Sequence, residues 1–89
     1  MRIGKITGTV TATSRNSRLS THPLLVVDLE DAQGNVIEKS IVASDTVGAG
    51  VGQIVLVATG SAARIADELQ GTISDAAVVA IVDTISVNT

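Results

Sequence analysis

Branching at Cβ dominates this chain: 13 Val, 9 Ile and 10 Thr make 32 of its 89 residues, about 36%. Such side chains lose χ1 freedom in a helix and pack well on a pleated surface, so the chain is expected to be mainly β. The first strand is expected from Ile3 to Thr13. Ile6, Gly8, Val10 and Ala12 alternate there with Thr7, Thr9, Thr11 and Thr13. Gly8 has no side chain to pack and marks a bend or bulge. Ser14 to Thr21 is polar and reads as a loop, with Pro23 at its end.

Leu24–Leu29 and Val36–Ala43 read as two strands joined at the turn residues Asp31-Ala32-Gln33-Gly34-Asn35. A glycine-punctuated loop, Asp45 to Gly52, leads to a strand over Gln53–Ala58. Gly60-Ser61 then opens one short helix, with Ser61 as its cap, Ile65 and Leu69 on one face and Gly71 as its stop. The last strand, Ala76 to Ser86, is apolar on both faces through Val82. One face is expected to meet the core, the other the helix or a neighbouring subunit. Five short strands and one short helix in a single domain over residues 1–89 predict an all-β fold, a small barrel of the oligonucleotide/oligosaccharide-binding (OB) type.

Composition narrows what such a barrel can do. A net charge of −3 argues against nucleic acid, whose phosphates call for a basic surface. Aromatic residues are 0%, so no ring can stack a base. With no Cys, a disulfide framework, a thiolate metal site and a cysteine nucleophile are all excluded. Yet 45% of the residues are hydrophobic and only 17% charged, while a chain of this size buries little more than half of its unfolded surface alone. No apolar run reaches the ~18–20 residues of a spanning helix. The longest, Ala76 to Val82, is closed by Asp75 and Asp83, and the N-terminus does not read as a signal peptide. The surplus apolar surface is expected to be hidden against other subunits, in a cytoplasmic protein.

The candidate sites are few. Gly48-Ala49-Gly50-Val51-Gly52 lacks the Lys and the following helix of a phosphate cradle. It reads as a loop whose glycines take positive φ or admit a partner's backbone. His22, the one histidine, reads as a surface residue rather than a base or ligand, and Asp28, Glu30 and Asp31 as a solvated strand end. Arg64 falls on the first turn of the expected helix, where the dipole disfavours a cation. It is therefore assigned a salt bridge with Asp45, Asp75 or Asp83, or with a carboxylate across a subunit interface. Asp75 and Asp83 also discourage edge-to-edge pairing of the apolar strand between them.

Four segments taken together carry a resemblance: Gly8-Thr9-Val10, Asp45 through Gly52, Gly60-Ser61-Ala62-Ala63-Arg64, and Asp75 through Asp83. In order and spacing the chain resembles, over essentially its whole length, the EutN/CcmL family of bacterial microcompartment shell vertex proteins. The resemblance implies a β-barrel subunit in a cyclic homopentamer, a structural protein with no cofactor, no metal and no catalysis of its own. It implies hexameric and pseudohexameric shell proteins as partners, met at an edge loop that maps to Gly48, Ala49, Gly50, Val51, Gly52 and Gln53. The family usually carries Glu where this chain has Gln53; hydrogen bonding, not charge, is what that position offers here. A pore on the fivefold axis is also a family feature.

Two other readings compete. An OB-type module for an oligonucleotide or small ligand meets the acidic charge and the missing aromatics. A small enzyme working between subunits through Arg64 and an acid lacks an evident nucleophile or metal site.

Overall fold

The computed structural model describes residues 1–16, 21–60, 63 and 75–87. Five strands follow one another: β1 (Arg2–Val10), β2 (Leu24–Glu30), β3 (Val36–Asp45), β4 (Ile54–Thr59) and β5 (Ala76–Ile81). They close into one barrel in the order β1-β2-β3-β5-β4. All neighbours are antiparallel except β3 and β5, which run parallel and share only the pairs Ser44↔Ala77 and Asp45↔Val78. This is the expected OB-like barrel. The expected helix from Ser61, with Ile65, Leu69 and Gly71, lies outside the described residues apart from buried Ala63.

Alternation sets the faces. In β1, Gly4 and Ile6 point inward while Lys5, Thr7 and Thr9 are exposed, as the Thr-rich face requires. Pairing with β2 slips between Ile6↔Val27 and Gly8↔Val26, leaving Thr7 as the extra residue of a bulge beside Gly8. The core consists of Ile6, Leu25, Val27, Leu29, Ala43, Val55, Val57, Ala76 and Val78, with Ile41 and Ala49 packed against it. A second, smaller contact joins Ala63 to Ala77 and takes in Val79. β5 is thus covered on both sides at Ala76, Ala77 and Val78, as its two-faced apolar pattern foretold, but Ile81 is already exposed and the strand ends there rather than at Ser86.

The β2–β3 hairpin ends in a tight turn. Asp31 folds its tip: Oδ1 accepts the Gln33 and Asn35 N–H groups, and Oδ2 accepts from Asn35 Nδ2. Those bonds, the Asn35 N–H first, hold the Asp31 carboxyl below its ordinary pKa. Val36 to Ser40 are exposed in succession. Opposite Asp28 two residues, Lys39 and Ser40, fill the space of one. Ser40 takes φ +58°, and its N–H donates to Asp28 Oδ1 at 2.9 Å.

Candidate functional site

The loop between β3 and β4 is built on a buried acid. Asp45 ends β3 only 6% exposed, and its carboxylate accepts from three successive backbone N–H groups: Val47 at 3.0 Å, Gly48 at 3.1 Å and Ala49 at 3.1 Å. Its own N–H donates to the Pro23 carbonyl. Next to it, Thr46 donates through both N–H and Oγ1 to the Val78 carbonyl. Two strands, β3 and β5, are thereby tied to the loop at its root.

The far side of the loop closes on itself. Gln53 N–H donates to the Gly50 carbonyl, and Gln53 Oε1 accepts the Gly50 N–H at 2.7 Å. Between them Gly52 has φ +91°, the conformation a type II turn requires at its third position. Gly52 N–H and the Gln53 carbonyl then pair with Ile6, fastening the loop to β1. Gly48 also has positive φ, +76°, whereas Gly50 does not.

The six loop residues expected to face a partner are therefore unequal. Ala49 turns in against the core, while Val51 stands out at 64% exposure, with Gly50, Gly52 and Gln53 exposed around it. Gln53 spends its carbonyl oxygen inside the loop, a bond for which only the oxygen matters.

Of the four residues assigned to ion pairing, the three carboxylates are described. Asp45 is engaged with the loop backbone, and Asp75 and Asp83 are exposed just before and two residues beyond β5. Arg64 lies outside the described residues. Asp45, expected as an ion-pair partner, is instead the loop's anchor; its place before Gly48, three residues on, is the sequence signal for that role, since an aspartate at the head of a turn satisfies the following N–H groups. His22 is half-buried next to Pro23. Among the described residues no group of three or more His, Asp and Glu side chains gathers as a metal site would need.

Nine large apolar side chains among the described residues stay exposed: Met1, Val36, Ile37, Val42, Val47, Val51, Ile81, Ile85 and Val87. A closed barrel with a hydrogen-bonded, outward-facing loop and this uncovered apolar surface has the character of a subunit suited to packing against other proteins. The family model described as "Ethanolamine utilisation protein EutN/carboxysome" matches residues 1–83, and the chain belongs to the EutN/CcmL family. It is 44% identical over 87 residues to the carboxysome shell vertex protein CcmL of Synechococcus elongatus, covering 98% of this chain and 88% of that one. To the microcompartment shell vertex protein EutN of Salmonella typhimurium it is 40% identical over 83 residues, covering 93% and 84%. The structure of GrpN, a pentameric microcompartment shell protein from Rhodospirillum rubrum, superposes with a TM-score of 0.85 at 46% identity, covering 98% of this chain and 100% of GrpN.

Proposed function

We propose that this chain is a shell vertex protein: it forms homopentamers that occupy the fivefold corners of a bacterial microcompartment in the cytoplasm. The observation that carries this is the match to pentameric GrpN along the whole barrel. The geometry gives the corner its purpose. Hexagonal tiles alone make a flat sheet, so a closed polyhedron needs fivefold positions. The work is done by shape and contact rather than catalysis, and no cofactor is called for.

Hexameric shell proteins are the proposed neighbours, met at Gly48 through Gln53. Support comes from the loop's build: Asp45, Gln53 and Ile6 hold it rigid, so docking costs little ordering entropy. Glycines there leave backbone open to a tile. Arg64 is proposed to pair with an acid, for which exposed Asp75 and Asp83 offer interface partners.

The test is Gly50→Arg. A Cβ at Gly50 meets nothing nearer than Gln53 Oε1 at 3.8 Å, and its φ is ordinary, so the subunit tolerates the change. Coexpressed with hexameric shell proteins, the parent should give closed shells by electron microscopy. Gly50→Arg should remain pentameric, at five times 9.0 kDa or about 45 kDa, yet leave shells open. Closed shells carrying the variant at their corners would remove the loop from the contact.

A further inference from the structure

The β3–β4 loop leaves few N–H groups over for a partner. Every backbone N–H from Thr46 to Gln53, except that of Val51, is engaged by an acceptor of the same subunit: Asp45, Val78, Gly50, Ile6 or the Gln53 side chain. Val51 is the second residue of the Gly50–Gln53 turn, where an N–H points away from the turn. The loop carries a single charge, that of Asp45, which is 6% exposed and turned to the loop's own N–H groups. A charged group on a partner therefore finds no counter-charge at this tip.

What the tip does expose is Val51 at 64%, Val47 at 38% and the amide of Gln53. The two ends of that amide are used differently. Oε1 accepts the Gly50 N–H at 2.7 Å and closes the turn. The orientation is fixed, because Gly50 offers an N–H and only Oε1 can accept it. Nε2, on the same carbon, carries two N–H groups, and no acceptor among the described residues meets them.

Closing the loop gives an amide no advantage. A carboxylate at this position would accept the Gly50 N–H at least as well, since a charged acceptor makes the stronger bond. What the amide adds is the donor, and the closing bond fixes where that donor stands, beside the Gly50 and Val51 N–H groups. A surface laid over Val47 and Val51 excludes water, and a donor covered there without an acceptor is costly. A carbonyl oxygen satisfies it. A carboxylate would lose its own hydration beside the valines with no cation to compensate it.

We propose that Gln53 is a specificity-determining residue of the loop: its Nε2 donates to an uncharged carbonyl oxygen at the edge of the hexameric tile, beside an apolar hollow that takes Val51. This deepens the vertex reading above and rests on it. Selection follows from polarity: a tile that offers a lysine, an arginine or another donor at this point meets Nε2 donor to donor and is refused.

The test uses shells assembled from the hexameric shell proteins of the same organism without a vertex protein. Purified pentamer is added at rising concentration, and occupied corners are counted by electron microscopy. Gln53→Glu keeps an oxygen for Gly50 and exchanges the donor for a second acceptor. It should keep the native mass of about 45 kDa, five times 9.0 kDa, and protect the Gly50 amide from hydrogen exchange as well as the parent does. Half-occupancy should nonetheless need at least about tenfold more pentamer, and the loss should persist in about 0.5 M salt. Gln53→Met, with neither charge nor donor, should cap as weakly. Parent-like capping by either variant overturns the proposal, and so does a Gln53→Glu defect that salt removes, which is the mark of charge repulsion. Where Gly50→Arg fails to cap and Gln53→Glu caps like the parent, the loop stays in the contact and only the donor role is wrong. Where Gly50→Arg caps too, the loop reading itself falls. A parent that leaves the corners empty fails the vertex reading.

Discussion

A Cβ on Gly4 would stand 2.5 Å from Val27 Cγ1 and 3.3 Å from Val57 Cγ2, both in fully buried side chains on different neighbouring strands. Neither valine has space to withdraw, so one carbon atom too many spreads strain through the barrel wall. Overpacking of that kind costs about 1–3 kcal/mol. Gly4→Ala should therefore lower the thermal midpoint by roughly 4–20 °C, measured by circular dichroism under conditions that fix the oligomeric state. Gly8→Ala is the control: its nearest neighbour would be Val26 Cβ at 3.8 Å, and its φ is ordinary, so the midpoint should hold or rise slightly. Equal losses in both variants would show that the close approach at Gly4 is not what sets the barrel wall. The two glycines also differ in how far a sequence discloses them. Gly8 interrupts an alternating run, which marks a bulge from local pattern alone. Gly4 looks like an ordinary strand residue until β2 and β4 bring Val27 and Val57 over it, and Ser40 hides its positive φ in the same way behind a bulge set by Asp28.

Asp45 does for the β3–β4 loop what Asp31 does for the hairpin tip, but from a buried position. Removing its carboxylate strands three N–H groups and leaves a hole at the end of β3. Unmet buried polar groups cost about 1–3 kcal/mol each, less where water can reach them, as it can in this loop. Asp45→Ala should lower unfolding stability by about 2 kcal/mol and speed amide exchange at Val47, Gly48 and Ala49 above all other sites. Asp45→Asn keeps an Oδ1 for the Val47 and Gly48 bonds but sets an NH2 where Oδ2 accepted the Ala49 N–H at 3.1 Å, and should recover only part of the loss. Uniform faster exchange across the barrel, with no excess in the loop, would count against the anchor. At this scale the strands were the most readable part, because alternation and turn residues are local. All five starts fall within one residue of the pattern, and the ends differ where pairing rather than pattern decides: β1 stops at Val10 and β5 at Ile81. The loop was recognised by its glycines, yet the sorting of Ala49 inward and Val51 outward came only with the core it folds against.

Among the described residues a single subunit leaves apolar side chains uncovered on its β2–β3 hairpin, on its loop tip and over residues 81–87. Burial of that surface between subunits links folding to concentration: what binds only the folded form raises its apparent stability by mass action. The size of the effect follows from the stoichiometry. With an unfolding enthalpy of about 0.7 kcal/mol per residue, a pentamer that melts directly to five unfolded chains should lose roughly 10 °C in midpoint on hundredfold dilution. A monomer would lose nothing. The absence of Trp, Tyr and Phe removes the usual fluorescence probes, so far-ultraviolet circular dichroism in cells of different path length is the measurement to make. Composition alone, 45% hydrophobic and 17% charged, was enough to require partners, but not their number. Five is a property of the angle between neighbouring barrels, which no local pattern encodes; it entered with the resemblance of the whole chain to the family, and the similarity to pentameric GrpN supports it. A midpoint that stays constant over a hundredfold dilution would mean that the barrel is stable alone and that the exposed apolar side chains serve contacts made only within the shell.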